Sequence, residues 1–373
     1  MKIAIVCDFL VKFGGAQQVL LALHKAFPEA PIYCLLYDEN KTKGAFKDCQ
    51  IITSNLQKWP AFLRKRPKFL LPLFPKAVES FDFSAFDAVI SSSDSYCKGI
   101  ITKPKTLHLC YCHTPMRYAW DWSAEYLKEN KIGFGPKGLL VRHLIHKIRL
   151  WDRVSAFRVD RFIANSINVQ KRIAKYYRAD AEVIYPPVNT REYQPSFQEA
   201  KDFYLIISRL EPYKKIALAV DTFNILGKKL IIIGEGSERA ALETRAKENI
   251  QFLGWQDNAK IAKYLADCQA LIFPGEEDFG ITPVEAMAAG RPVIAFSKGG
   301  VGESVIDGKT GLFFDQASTE SLKEAVLRFE STKSDFDPRR CQEQAANFSE
   351  EVFIQKVKDS LAENYKKHLQ KYT

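Results

Sequence analysis

The sequence predicts an α/β protein made of two parallel-sheet domains. Short apolar strand signals alternate with helical stretches through both halves of the chain, which is the pattern of βαβ units. Periodicity is lost at Tyr185-Pro186-Pro187-Val188-Asn189 and stays weak to about Asp202, so a linker is expected there. A length of 373 residues also exceeds what a single core usually holds. The expected domains are residues 1–185 and 186–351, and a closing helix over about 352–371 is expected to pack back on the first.

In the first half, residues 3–7, 32–36, 88–91, 106–110 and 161–164 read as strands, each a short apolar run. In the second half the runs are 203–208, 229–233, 250–253, 270–273, 292–295 and 312–314. The closing helix shows Val352, Phe353, Val357, Leu361 and Tyr365 at helical spacing.

With 46% hydrophobic and 26% charged residues, the chain reads as soluble and globular. It has no apolar run of membrane-spanning length. Met1 to Cys7 reads as a first strand rather than a leader. Eight cysteines scattered in apolar settings suggest reduced thiols and a cytoplasmic protein. The charge is uneven. Residues 1–200 hold 30 Lys and Arg against 18 Asp and Glu, whereas residues 201–373 hold 24 against 26. A basic first half suits an anionic partner such as a membrane, a phosphorylated lipid or a nucleic acid. The stretch from Lys58 to Lys76 has six basic residues, no acidic ones, and interleaved Trp, Phe and Leu. Lys58, Trp59, Arg64, Lys65, Arg66 and Lys68 are therefore the expected acceptor or membrane contacts, at an anionic lipid surface. The alternative is a basic loop with a packing role.

The most informative stretch runs from Pro274 to Gly290. An apolar strand leads into Glu276-Glu277-Asp278, then Phe279-Gly280, then a helix expected to be capped by Thr282 with Pro283 in its first turn. A helix N-terminus at a strand's carboxyl end suits a phosphate, and flanking carboxylates accept from hydroxyls. Sugar nucleotides carry both groups. Further loops fit the same chemistry. Gly14 and Gly15 lie between the first strand and its helix, where amides can approach a phosphate or a turn can need a positive φ. Arg209 and Lys214 follow the first strand of the second half and suit a diphosphate leaving group, against the plain reading of a solvated basic turn. Gly234 and the Gly299-Gly300 pair end two later strands. His113 ends a strand at the edge where α/β ligands bind, although a satisfied loop histidine is the simpler reading. Cys110, Cys112 and His113 lack the spacing of a zinc site. No GxGxxG fingerprint favours a nicotinamide oxidoreductase.

From Lys2 to about Phe314 the chain resembles the retaining glycosyltransferases of family 4, which have the GT-B fold of two Rossmann-like domains facing each other across a cleft. The most specific piece is Glu277 to Glu285 within EEDFGITPVEAMAAGRPVIA, supported by GGAQ at Gly14 to Gln17, SRLEPYKK and GGVGE. With HTPMRY, these look most like bacterial mannosyltransferases of polysaccharide and O-antigen assembly, which use GDP-mannose. The resemblance implies that Glu277 binds the donor sugar and Glu285 the ribose. It implies that Phe279, Gly280 and Ile281 bring amides to the distal phosphate, and that Arg209 and Lys214 stabilise the leaving diphosphate. Gly14 and Gly15 would contact the diphosphate or admit the acceptor, Gly234 would lie on the donor side, and His113 would lie near the reacting centre. No cofactor or metal is implied beyond the nucleotide sugar. The implied acceptor is a lipid-linked saccharide or glycolipid at the inner membrane face, with no nucleic acid. Two departures are visible. Lys214-Lys215-Ile216-Ala217 lacks the acidic residue that often follows, and Gln17 stands where many members have Glu. A UDP-sugar-dependent enzyme or a sugar-nucleotide epimerase on the same fold is the alternative.

Overall fold

The computed structural model describes residues 1–64, 70–195 and 200–372. Two compact units emerge. One comprises Met1–Tyr185 with Phe353–Thr373, and the other Pro186–Val352.

The first unit is built on strands β1 (Ile3–Leu10), β2 (Ile32–Tyr37), β3 (Ile51–Thr53), β4 (Ala88–Ser93), β5 (Leu107–Cys112), β6 (Arg161–Ala164) and β7 (Ala181–Val183). They pair in the order β3-β2-β1-β4-β5-β6-β7, with every pair parallel. The inner strands read as unbroken apolar runs because helices cover both faces. Ile5, Ile90 and Leu109 are buried on one face, Ala4, Val6 and Val89 on the other. The closing helix spans Glu350–Leu369. Its Phe353, Val357 and Leu361 complete the first unit's core, with the Phe353 ring 5.6 Å from Tyr111.

The second unit is built on β8 (Tyr204–Ile207), β9 (Leu230–Ile233), β10 (Ile250–Gly254), β11 (Leu271–Phe273), β12 (Val293–Phe296) and β13 (Gly311–Phe314). Their order is β10-β9-β8-β11-β12-β13, again all parallel. Both sheets are Rossmann-like, and each reverses its strand order once, at β1/β4 and at β8/β11. Ligands of open parallel sheets bind outside the carboxyl ends of the strands at that reversal. In the second unit these two strand ends lead into Arg209 and Glu277, and in the first into the Gly14 loop and Asp94.

Candidate active site

The second unit gathers its polar groups at the β8/β11 reversal. Lys214 lies in the short 3-10 turn Pro212–Lys214 that follows β8. Its ammonium forms an ion pair with the Glu277 carboxylate, and the two side chains are only 11% and 28% exposed. The backbone makes this meeting possible. A Cβ on Gly275 would stand 2.9 Å from the Lys214 carbonyl oxygen, so the two loops touch main chain to main chain. The Glu277 carbonyl in turn accepts from the Gly300 amide at 2.9 Å. Residues that the family resemblance assigns separately to the sugar and to the leaving group therefore hold one another. Arg209 shares the Tyr213 ring with Lys214, whose ammonium lies 5.2 Å from its centroid. Its exposed guanidinium donates to the Tyr213 hydroxyl and lies over that ring, 5.8 Å from its centroid.

The helix after Glu277 spans Ile281–Ala288, and its cap is Gly280 at φ +91°, not Thr282. Only glycine takes that backbone readily, so Thr282 falls inside the first turn. The amides of Ile281 and Thr282 are left without intrahelical acceptors. The Phe279 side chain is buried with its ring 5.5 Å from Phe348, which fixes the chain just before those amides. Gly234, at φ +137°, sits so close to β8 that a Cβ would meet the Ser208 carbonyl at 1.8 Å.

Glu285 lies half-buried on the same helix. Burial pushes its carboxyl up to about 7, against the lowering effect of a hydrogen bond from Tyr193. Tyr193 is 6% exposed and follows the turn Thr190–Glu192. That turn is secured by Asn258, which donates to Glu192 at 3.3 Å, and by the Val188 amide on the Phe348 carbonyl at 2.9 Å. The sequence reading missed Tyr193 because it lies in the aperiodic stretch taken as linker. A lone aromatic there carries no signal until the fold sets it against Glu285.

In the first unit, Gly14 caps the helix Gly15–Ala26 with an extended φ of −174°. A turn that needs a positive φ therefore does not explain this glycine. Nearby, a cavity of about 350 Å³ is lined by Asp8, Lys12, Gln17, Lys41, Arg64, Ser92, Asp94 and His113, among others. The fold thus brings His113 together with Arg64, from the basic segment. The His113 Nε2 is 2.8 Å from the Ser92 hydroxyl, and burial lowers its pKa to about 4, so the ring is neutral. Asp8, at the end of β1, was not singled out from the sequence. Its carboxylate accepts from four amides, those of Asp94, Ser95, Tyr96 and Cys97, at 2.6–2.9 Å. Burial and the Asp94 charge raise it to about 7 while these amides oppose them. Trp59 is 40% and Phe62 66% exposed, whereas Lys65, Arg66 and Lys68 lie outside the described residues. All eight cysteines are free. Among the described residues no cluster of metal-ligating side chains occurs, and no helix is long and apolar enough to cross a membrane.

Comparison with known proteins defines the class. The family model described as Glycosyltransferase Family 4 matches residues 13–192, and that of Glycosyl transferases group 1 matches residues 189–348. The chain is of the GT-B glycosyltransferase type, with domains of family 4 and group 1. It is 29% identical over 199 residues to an uncharacterized glycosyltransferase of Methanocaldococcus jannaschii, covering 52% of this chain and 56% of that protein. It is 27% identical over 285 residues to an alpha-1,3/1,6-mannosyltransferase of Dictyostelium discoideum, covering 62% and 63%. The chain thus spans roughly three-fifths of these two relatives' lengths. Among solved structures, Anabaena HepE in complex with UDP superposes with a TM-score of 0.71 at 17% identity, over 97% of this chain and 100% of that one. Sucrose-phosphate synthase of Thermosynechococcus elongatus superposes with a TM-score of 0.73 at 16% identity, over 97% and 99%. These two likenesses bear on the fold alone.

Proposed function

We propose that the protein transfers mannose from GDP-mannose, with retention of anomeric configuration, to a lipid-linked saccharide or glycolipid at the inner face of the cytoplasmic membrane, in cell-surface polysaccharide synthesis. The observation that carries this reading is the ion pair of Lys214 with Glu277 in the loop that leads into the helix bearing the Ile281 and Thr282 amides and the half-buried Glu285. Cation and amides suit a diphosphate, and the two carboxylates suit sugar and ribose hydroxyls. Mannose is favoured by the likeness to the Dictyostelium mannosyltransferase.

In this reading the bond from the anomeric carbon to the diphosphate oxygen breaks as Lys214 and Arg209 stabilise the charge that grows there. The acceptor hydroxyl attacks from the same face, and its proton passes to the departing phosphate. No metal is required, because the two cations supply the charge. Neutral His113 lies on the wall of the first unit's cavity.

A second reading, a UDP-sugar donor, is prompted by the Anabaena protein, whose structures hold UDP and UDP-glucose. Thermal-shift measurements with GDP-mannose, UDP-glucose and ADP-glucose separate the two, since a ligand of the native state raises the melting temperature. The largest rise is expected with GDP-mannose. A rise with UDP-glucose alone would transfer the proposal to that donor.

A further inference from the structure

The helix Pro136–Ser155 has one face fully used and another left over. Gly138, Ile145, Ile148, Asp152 and Ser155 are buried. Among the described residues, 18 large apolar side chains are exposed, and six of them fall between residues 134 and 157: Phe134, Leu139, Leu140, Leu150, Val154 and Phe157. At 3.6 residues per turn, Leu139, His143, His146, Leu150 and Val154 lie within an arc of about 80°, opposite the buried face. Phe157, 71% exposed, extends the stripe on the turn Ala156–Arg158.

The charge on this helix has one sign. Lys137, Arg142, Lys147, Arg149 and Arg153 are its cations, and its one acid, Asp152, is buried against Lys98. Two guanidiniums lie directly on the exposed rings, Arg142 at 4.3 Å from the Phe134 centroid and Arg153 at 4.5 Å from that of Phe157. An exposed apolar stripe flanked by cations, on a helix too polar to cross a bilayer, is the composition of a helix that lies in a membrane interface. A second copy of this chain would bring like charges together across the contact, which disfavours self-association through this face.

We propose that this face rests on an anionic bilayer surface, with its apolar side chains at the headgroup boundary and its cations on lipid phosphates. The inference rests on the reading that the acceptor is presented at a membrane, and it adds a docking surface separate from the segment around Trp59. Co-sedimentation of the full chain with phosphatidylcholine vesicles, with and without phosphatidylglycerol, tests it. The wild type should sediment with the phosphatidylglycerol vesicles and be released by salt. Combining Leu150→Ser, Val154→Ser and Phe157→Ser should reduce the bound fraction about tenfold, because three interface-inserting side chains are lost. Its melting temperature and its thermal shift with GDP-mannose should stay as in the wild type, which separates docking from folding. Wild-type sedimentation by this variant would overturn the inference. So would loss of binding confined to a Trp59→Ser, Phe62→Ser variant, although the membrane reading would then survive. A wild type that ignores both kinds of vesicle would remove both. A concentration-dependent dimer that the triple variant abolishes would overturn the inference in favour of a second copy.

Discussion

The Lys214–Glu277 ion pair leaves neither charge uncompensated. Under the proposed function a diphosphate would compete for Lys214, and sugar hydroxyls would take over as donors to Glu277. Replacing Glu277 by Ala therefore removes sugar orientation, and kcat should fall by about 100-fold, as small misplacements of reacting groups do. Wild-type-like turnover in that variant would contradict the assignment. Arg209→Ala should lower kcat more than it raises KM, because leaving-group charge grows in the transition state. An effect confined to KM would count against its assigned role. Glu285 and Tyr193 yield a pH prediction. Burial holds the Glu285 carboxyl up at about 7, and the Tyr193 hydroxyl opposes that shift by favouring the ionised form. The ionised carboxylate is the better acceptor for ribose hydroxyls, so donor affinity should rise with pH through about 7. Tyr193→Phe removes the opposing hydrogen bond and should move this rise to higher pH, as read by GDP-mannose titrations across pH. An unmoved profile would leave Tyr193 with a packing role alone. The sequence singles out Arg209, Lys214 and Glu277 because they stand in loops after apolar strands, and Glu285 because it lies on the helix that follows such a loop. Tyr193 was not, because its partner is distant in sequence.

The loop after β4 shows how the first unit keeps its cavity wall in place. Asp8 ties down four successive amides of that loop. Lys98, immediately after it, is buried against Asp152, which also accepts from Trp120 at 2.6 Å and Tyr177 at 3.0 Å. Asp152→Ala would strand a buried ammonium, and such losses cost roughly 3–5 kcal/mol. Urea denaturation should show a drop of that order, and a loss below about 1 kcal/mol, typical of an exposed pair, would argue against the clamp. Interior strands were readable because helices bury both faces and leave continuous apolar runs. Edge strands β3 and β7 were not, since three residues each give no usable periodicity. The cap of the helix Ile281–Ala288 was misassigned to Thr282 for a local reason. Thr is a favoured cap, but the positive φ of Gly280 sets the boundary earlier.

At the scale of the molecule, charge divides as function is proposed to divide. The basic first half carries the cavity with His113 and Arg64 and the cationic, apolar-striped helix, while the near-neutral second half carries the acidic donor loops. Composition disclosed this asymmetry, but not which surface uses it, because exposure of the Leu139 to Phe157 stripe follows from packing of the opposite face. The second unit is proposed to grip a nucleotide sugar through Lys214, Glu277 and Glu285 without metal. Calorimetric titration of GDP-mannose in the presence of EDTA tests it most directly, using the wild type, Lys214→Met and Glu285→Gln. Binding by the wild type is expected, with about tenfold or greater weakening in each variant, since each loses a hydrogen bond involving a charged group. Absence of binding in EDTA, or equal affinity in all three proteins, would contradict it.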